Sequence, residues 1–211
     1  MPAERVSSAS PWHVVMVLHV DGETVAAARA RTALSVLVEE MTLLSGGVKP
    51  MFRVTFIDGT LNPQIALAAR SDIEASDFAW PPRPGTPPAP LAALLRSAEE
   101  VLTDNPGRIG DFIPYVVVLC GSTEVDEAAL ASAERLKALK ISAGEPRLVV
   151  FDFTGAENTE LRKIASRAEL YVGLEHPEPV ASIFPIVGSA VLAGPTGAAE
   201  VDSLVERLRT I

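Results

Sequence analysis

The segment His13–Thr24 reads His-Val-Val-Met-Val-Leu-His-Val-Asp-Gly-Glu-Thr. Within it, Val14–Leu18 is an unbroken apolar run rich in valine, the pattern of a strand buried on both faces. The run ends in a polar loop, and a long helical pattern follows. Strand, polar loop and helix in that order open a parallel α/β sheet, and such sheets bind ligands at the carboxyl ends of their strands. His19, Asp21 and Glu23 stand on that loop.

Outward from this segment the alternation repeats. Val14–Val20 reads as the first strand. Glu23–Leu44 reads as a helix, with Val25, Ala28, Leu34, Leu37, Val38 and Met41 at helical spacing and Ser45-Gly46-Gly47 ending it. Met51–Ile57 is a second strand, Asp58-Gly59-Thr60 a turn, and Ile65–Ala69 a short strand placed antiparallel at an edge. The proline-rich loop Phe78–Pro90 leads into a helix over Leu91–Leu102. Strands over Tyr115–Leu119, Arg147–Phe153 and Glu169–Gly173 then alternate with helices over Glu127–Leu139, Thr159–Ser166 and Pro177–Leu192.

The expectation is an α/β fold: a doubly wound, mostly parallel central sheet with helices on both faces. Residues 1–11 read as a flexible N-terminal segment and 12–192 as one domain. Residues 193–211 read as a linker and a short amphipathic helix striped by Val201, Leu204, Val205 and Leu208. That stripe docks on the domain or joins two copies, so the oligomeric state stays open.

Composition narrows the function. Apolar residues make up 48% of the 211, enough for a full core. Eighteen basic against 27 acidic residues leave a net charge of −9, a poor match for a phosphate backbone. Nucleic acid is therefore excluded as the expected partner. A single cysteine, Cys120, forbids an internal disulfide framework. No leader-like segment opens the chain and no apolar run approaches the ~20 residues that span a bilayer, so the expectation is a cytoplasmic protein with no membrane partner.

The layout resembles the von Willebrand factor A (vWA) domain. That family carries Asp-x-Ser-x-Ser after its first strand, and the loop holds a divalent metal. The same slots here are His19, Asp21 and Glu23, with Gly22 kept. Phe52–Asp58 is similar to the family's second strand, and Gly85-Thr86-Pro87 to its threonine loop, which makes Thr86 a metal ligand by resemblance. Val149–Leu161, followed by Ile164-Ala165, is similar to its late strand and short helix. The resemblance covers about residues 12–192. It is strongest to intracellular bacterial members of tellurite-resistance and stress systems, which also place prolines before the threonine loop. Two departures stand out. Those relatives carry Thr-Asp-Gly after the third central strand, where this chain has Leu119-Cys120-Gly121-Ser122, so Gly121 fills an aspartate slot. His19 fills another.

Each candidate site has a structural reading beside the functional one. His19, Asp21, Glu23 and Thr86 either form a rebuilt site for Mg²⁺, Ca²⁺ or Mn²⁺, or an eroded one. In the eroded case Asp21 serves as a turn or cap residue and Glu23 sits in the first helical turn. Cys120 is either a thiol activated by His13 or His19, or a small buried hydrophobe. The strand-end carboxylates Asp58, Asp152 and Glu157 read as solvated loop groups, and His176 as a loop or cap residue. The prolines of Pro81–Pro90 read as a stiff lip beside the rim. No Gly-x-Gly-x-x-Gly or Gly-Lys-Ser motif supports nucleotide binding, and no Gly-x-Ser-x-Gly elbow supports a hydrolase.

The expected function is a non-enzymatic protein-interaction domain, without cofactor, that presents a rim of Asp21, Glu23, Trp80, Thr86 and Ser122 to a protein partner. The alternatives are a divalent-metal-dependent binding module on the same residues and a small α/β hydrolase or transferase.

Overall fold

The computed structural model describes residues 12–43, 51–61, 63–69, 88–108, 111, 113–155 and 157–176. In chain order these form β1 (Trp12–His19), α1 (Val25–Leu43), β2 (Met51–Ile57), β3 (Gln64–Ala69), α2 (Leu91–Asp104), β4 (Tyr115–Cys120), α3 (Glu127–Lys137), β5 (Arg147–Asp152), α4 (Thr159–Ile164) and β6 (Tyr171–Gly173). One sheet takes all six strands in the order β3-β2-β1-β4-β5-β6. Five are parallel, and β3 closes one edge antiparallel to β2.

The valine-rich runs explain the centre. Val14–Leu18 of β1 and all of β4 are buried, as strands covered on both faces must be. Helices α2, α3 and α4 pack side by side over one face, while α1 packs apart from them against β1 and β4. α2 buries Leu91, Leu94, Leu95, Ala98, Val101 and Leu102, one stripe at helical spacing. Right-handed crossovers send the chain from β1 toward β2 and later from β4 toward β5. The winding therefore reverses between β1 and β4, and the loops after them diverge.

Local chemistry fixes three helix starts. Thr24 Oγ1 accepts the Ala27 N–H of α1 at 3.0 Å, Asp126 Oδ1 the Ala129 N–H of α3 at 2.7 Å, and Asn158 Oδ1 the Glu160 N–H of α4 at 3.0 Å.

The structure corrects two sequence expectations. The inward face of α1 is Ala27, Ala30, Ala33 and Leu34, whereas Val25 is 69% exposed and Ala28 is also exposed. Alanines line this face because the helix lies close to the sheet. Glu169 belongs to a short 3-10 turn, Ala168–Leu170, so the last strand begins at Tyr171. Residues 1–11, the helix expected over 177–192 and the segment 193–211 lie outside the described residues.

Leu34→Ala should cost about 2–5 kcal/mol in urea unfolding, as buried leucines do. Val25→Ala should stay within about 0.5 kcal/mol. Equal losses would return the helix to the face its valine spacing suggests.

Candidate functional site

Strands β1 and β4 end together: their last residues, His19 and Cys120, are register partners. Both side chains are buried, and His19 Nδ1 lies 3.2 Å from Cys120 Sγ. The thiol donates its one proton to the Ser122 carbonyl at 3.5 Å. A carbonyl can only accept, so both contacts are hydrogen bonds together only when the ring is the Nδ1–H tautomer, which leaves the lone pair on Nε2. Backbone bonds reinforce the junction, Gly121 N–H to the His19 carbonyl at 2.8 Å and Phe153 N–H to the Cys120 carbonyl at 2.9 Å.

Burial sets the protonation of both groups. It pushes the His19 imidazole down from its ordinary 6.5 to about 4, against the opposing pull of Asp21 and Asp126. Burial first, and then the Asp152 charge, pushes the Cys120 thiol far above its ordinary range. The pair is thus a neutral imidazole on a neutral thiol, the reverse of an activated cysteine. His13 lies at the other end of β1, its Nε2 3.2 Å from Thr55 Oγ1.

Gly121 follows Cys120 directly. A Cβ there would lie 2.7 Å from both the Ala26 carbonyl oxygen and the Ala27 Cα of α1. The start of α1 thus occupies the space a side chain at this position needs. The slot that the vWA resemblance gives to an aspartate has no room for one.

Beyond the strand ends lies a cavity of about 270 Å³. His19, Val20 and Asp21 line it from the β1–α1 loop, and Ser122, Glu124 and Asp126 from the β4–α3 loop. Pro88–Leu91, the end of the proline-rich stretch and the first residue of α2, form a third wall. Ser122 Oγ accepts the Glu124 N–H at 3.2 Å. Of the residues expected on the rim, Asp21 and Ser122 come together here, joined by His19 from the expected metal-site set. Glu23 does not line the cavity: it is exposed and pairs with Arg31 at 3.4 Å, outside the first turn that Thr24 caps. Asp21 is no cap either. Trp80 and Thr86 lie outside the described residues. Among the described residues, no three His, Cys, Asp or Glu side chains gather closely enough to hold a metal ion.

Asp152, expected to be solvated, is 1% exposed. Its Oδ2 accepts the Tyr171 hydroxyl at 2.6 Å and its Oδ1 the Thr154 N–H at 2.9 Å. The Tyr171 oxygen in turn accepts the Asn158 N–H at 2.9 Å, and the Arg162 guanidinium stacks 5.2 Å from its ring centre. This network ties the ends of β5 and β6 to α4. Asp58 keeps its turn role, its Oδ1 accepting the Thr60 N–H at 2.9 Å. Glu157 pairs with Arg162, and His176 is exposed in a bend after β6.

Several solved structures share this arrangement of strands and helices. Proximal thread matrix protein 1 from the mussel byssus aligns with a TM-score of 0.58 at 17% identity, over 85% of this chain and 48% of its own. A von Willebrand factor type A protein from Catenulispora acidiphila aligns at 0.55 and 11% identity, over 95% of this chain and 43% of its own. The fold is vWA-like. The pilus adhesin SpaC from Lactobacillus rhamnosus GG also aligns at 0.55 and 12% identity, over 96% of this chain and 31% of its own. This chain thus spans less than half the length of each of these three. No family model matches the sequence, and no curated protein does.

Two outcomes test the junction. A histidine with a folded pKa of about 4 binds its proton more readily unfolded, so His19 favours the native state fully above pH 6.5. That stability, on the order of 3 kcal/mol, drains away as the pH falls from 6.5 toward 4. The stability difference between the wild type and a non-titrating His19→Asn variant should therefore shift across this window in urea titrations. A constant difference would place the imidazole in water. Gly121→Ala should cost about 1–3 kcal/mol in the same assay, since α1 backbone must move to admit the methyl.

Proposed function

We propose that this chain is a non-enzymatic protein-interaction module, which presents the carboxyl rim of its sheet to a partner protein without a metal ion. The observation that carries the reading is the close approach of α1 to Gly121, which leaves the family's aspartate slot no side-chain room. The other donors support it. His19 Nδ1 is engaged with Cys120, Asp126 caps α3, and Glu23 turns away to Arg31. Among the described residues, what remains does not gather as a divalent ion requires, with oxygen ligands converged at about 2.0–2.6 Å.

The chemistry of Cys120 favours binding over catalysis. A thiol held neutral by burial and hydrogen-bonded to a carbonyl is no nucleophile. The sequence resemblance to tellurite-resistance and stress-system proteins supports a cytoplasmic role with a partner from the same system. The names of the mussel matrix protein and the pilus adhesin fit a fold used for contact, a supporting analogy.

EDTA-treated protein should melt at the same temperature with and without millimolar Mg²⁺, Ca²⁺ or Mn²⁺, because an ion with no site adds no stability. A rise of several degrees with one ion, abolished by Asp21→Ala, would establish the metal-dependent module instead. Partners retained by the wild-type chain should be lost by an Asp21→Lys, Glu124→Lys double variant that still folds. Retention by that variant would move the interface off the rim.

A further inference from the structure

We propose that the rim cavity between the β1–α1 and β4–α3 loops receives the basic side chain of a partner protein, arginine ahead of lysine. The proposal rests on the interaction reading above and states what that rim takes.

Three features of the cavity carry it. The first is His19, 4% exposed and lining the cavity. In the tautomer that lets Cys120 make both its bonds, Nδ1–H faces the sulfur and Nε2 offers a lone pair to the cavity, with no partner among the described residues. An acceptor left open at a cavity wall can take a donor from outside. The second is charge: Asp21, Glu124 and Asp126 line the same cavity, and no lysine or arginine does among the described residues. The amino end of α2 also reaches it through Leu91, without a side-chain cap. A helix end carries about half a positive charge, too little to reverse three carboxylates. The third is shape. Val20 and Pro88–Leu91 give an apolar wall along which the methylene stem of a long basic side chain can lie, its charged head among the acceptors.

The same features select the occupant. A bare metal ion needs a convergent ligand set, which the described residues lack. A carboxylate meets like charge. The acceptors stand on two separate loops, so a planar guanidinium with five donors reaches more of them than a point-like ammonium. About 270 Å³ suits one such side chain.

The test titrates the ¹⁵N-labelled full chain with N-acetyl-arginine amide, and in parallel with the lysine, leucine and glutamate analogues, the last with and without Mg²⁺. The arginine probe should shift the amides of Asp21, Ser122 and Glu124 and the His19 Nε2 signal, saturating at millimolar concentration, with lysine weaker and leucine and glutamate silent. Asp21→Asn and Glu124→Gln should each weaken the arginine probe about two- to fivefold without changing the melting temperature.

Leucine binding as tightly as arginine would make the cavity an apolar slot and overturn the proposal, leaving the interaction reading intact. Glutamate binding only with Mg²⁺ would overturn both the proposal and the metal-free reading. No rim shift with any probe would overturn the proposal alone, provided the rim double variant still loses its partners. Several-fold tighter arginine binding by Arg83→Ala would assign the cavity to this chain's own proline-rich stretch and overturn the partner assignment.

Discussion

The ladder between β1 and β4 is the constraint on which the rest depends. It runs in register from Val14–Tyr115 to His19–Cys120 through side chains that are all buried. Each valine or leucine in such a ladder contributes about 1.5–3 kcal/mol by leaving water, so a one-residue slip is prohibitive. The place where the ladder ends is therefore fixed, and so is the pairing of His19 with Cys120. The direction of winding also reverses at this ladder, so the loops that follow β1 and β4 part and leave a crevice at the strand ends. The cavity is a consequence of topology before any polar residue is considered.

What the sequence adds to that crevice is a close approach. Ala27, Ala30 and Ala33 bring α1 down onto the sheet, and Gly121 accepts it because it has no Cβ. Small residues on both sides of one contact exclude a long polar side chain between them. On the far side of the rim, the Asp152–Tyr171–Asn158 chain of hydrogen bonds fixes the β5 and β6 ends to α4. The loops facing the crevice thus stand on a braced base, the usual condition for a specific binding surface carried on loops.

The strands were the legible part of the sequence. β-branched runs mark β1, β2, β4 and β5 to within a residue or two, and the antiparallel edge at β3 follows from the short turn before it. The contact between His19 and Cys120 was not legible. The two are 101 residues apart, and only the register of neighbouring strands joins them. That each closes a buried strand beside the winding reversal was the available signal. Asp152 was misread for a related reason: a carboxylate at a strand end looks solvated until a tyrosine from the next strand covers it. Val25 and Ala28 of the expected α1 stripe turn outward while Leu34 is buried beside Ala27, Ala30 and Ala33, because a helix in close contact with a sheet takes small inward residues. Glu124 and Asp126 escaped notice because nothing in the order of residues says that the β4–α3 loop faces the β1–α1 loop.

The sign of the rim follows from these contacts. In the metal-bearing family that this sequence resembles, a divalent ion outweighs the loop carboxylates, and the rim meets an acidic partner group through the metal. The attraction is borrowed from the ion. Here α1 closes over Gly121, burial holds His19 neutral, and Asp21, Glu124 and Asp126 face the crevice. A dication would offset two of these three carboxylates; without one, all three stand beside a partly apolar wall. On the reading proposed above, complementarity selects a cation with an apolar stem, so a rim of this kind without a metal favours the opposite sign of partner.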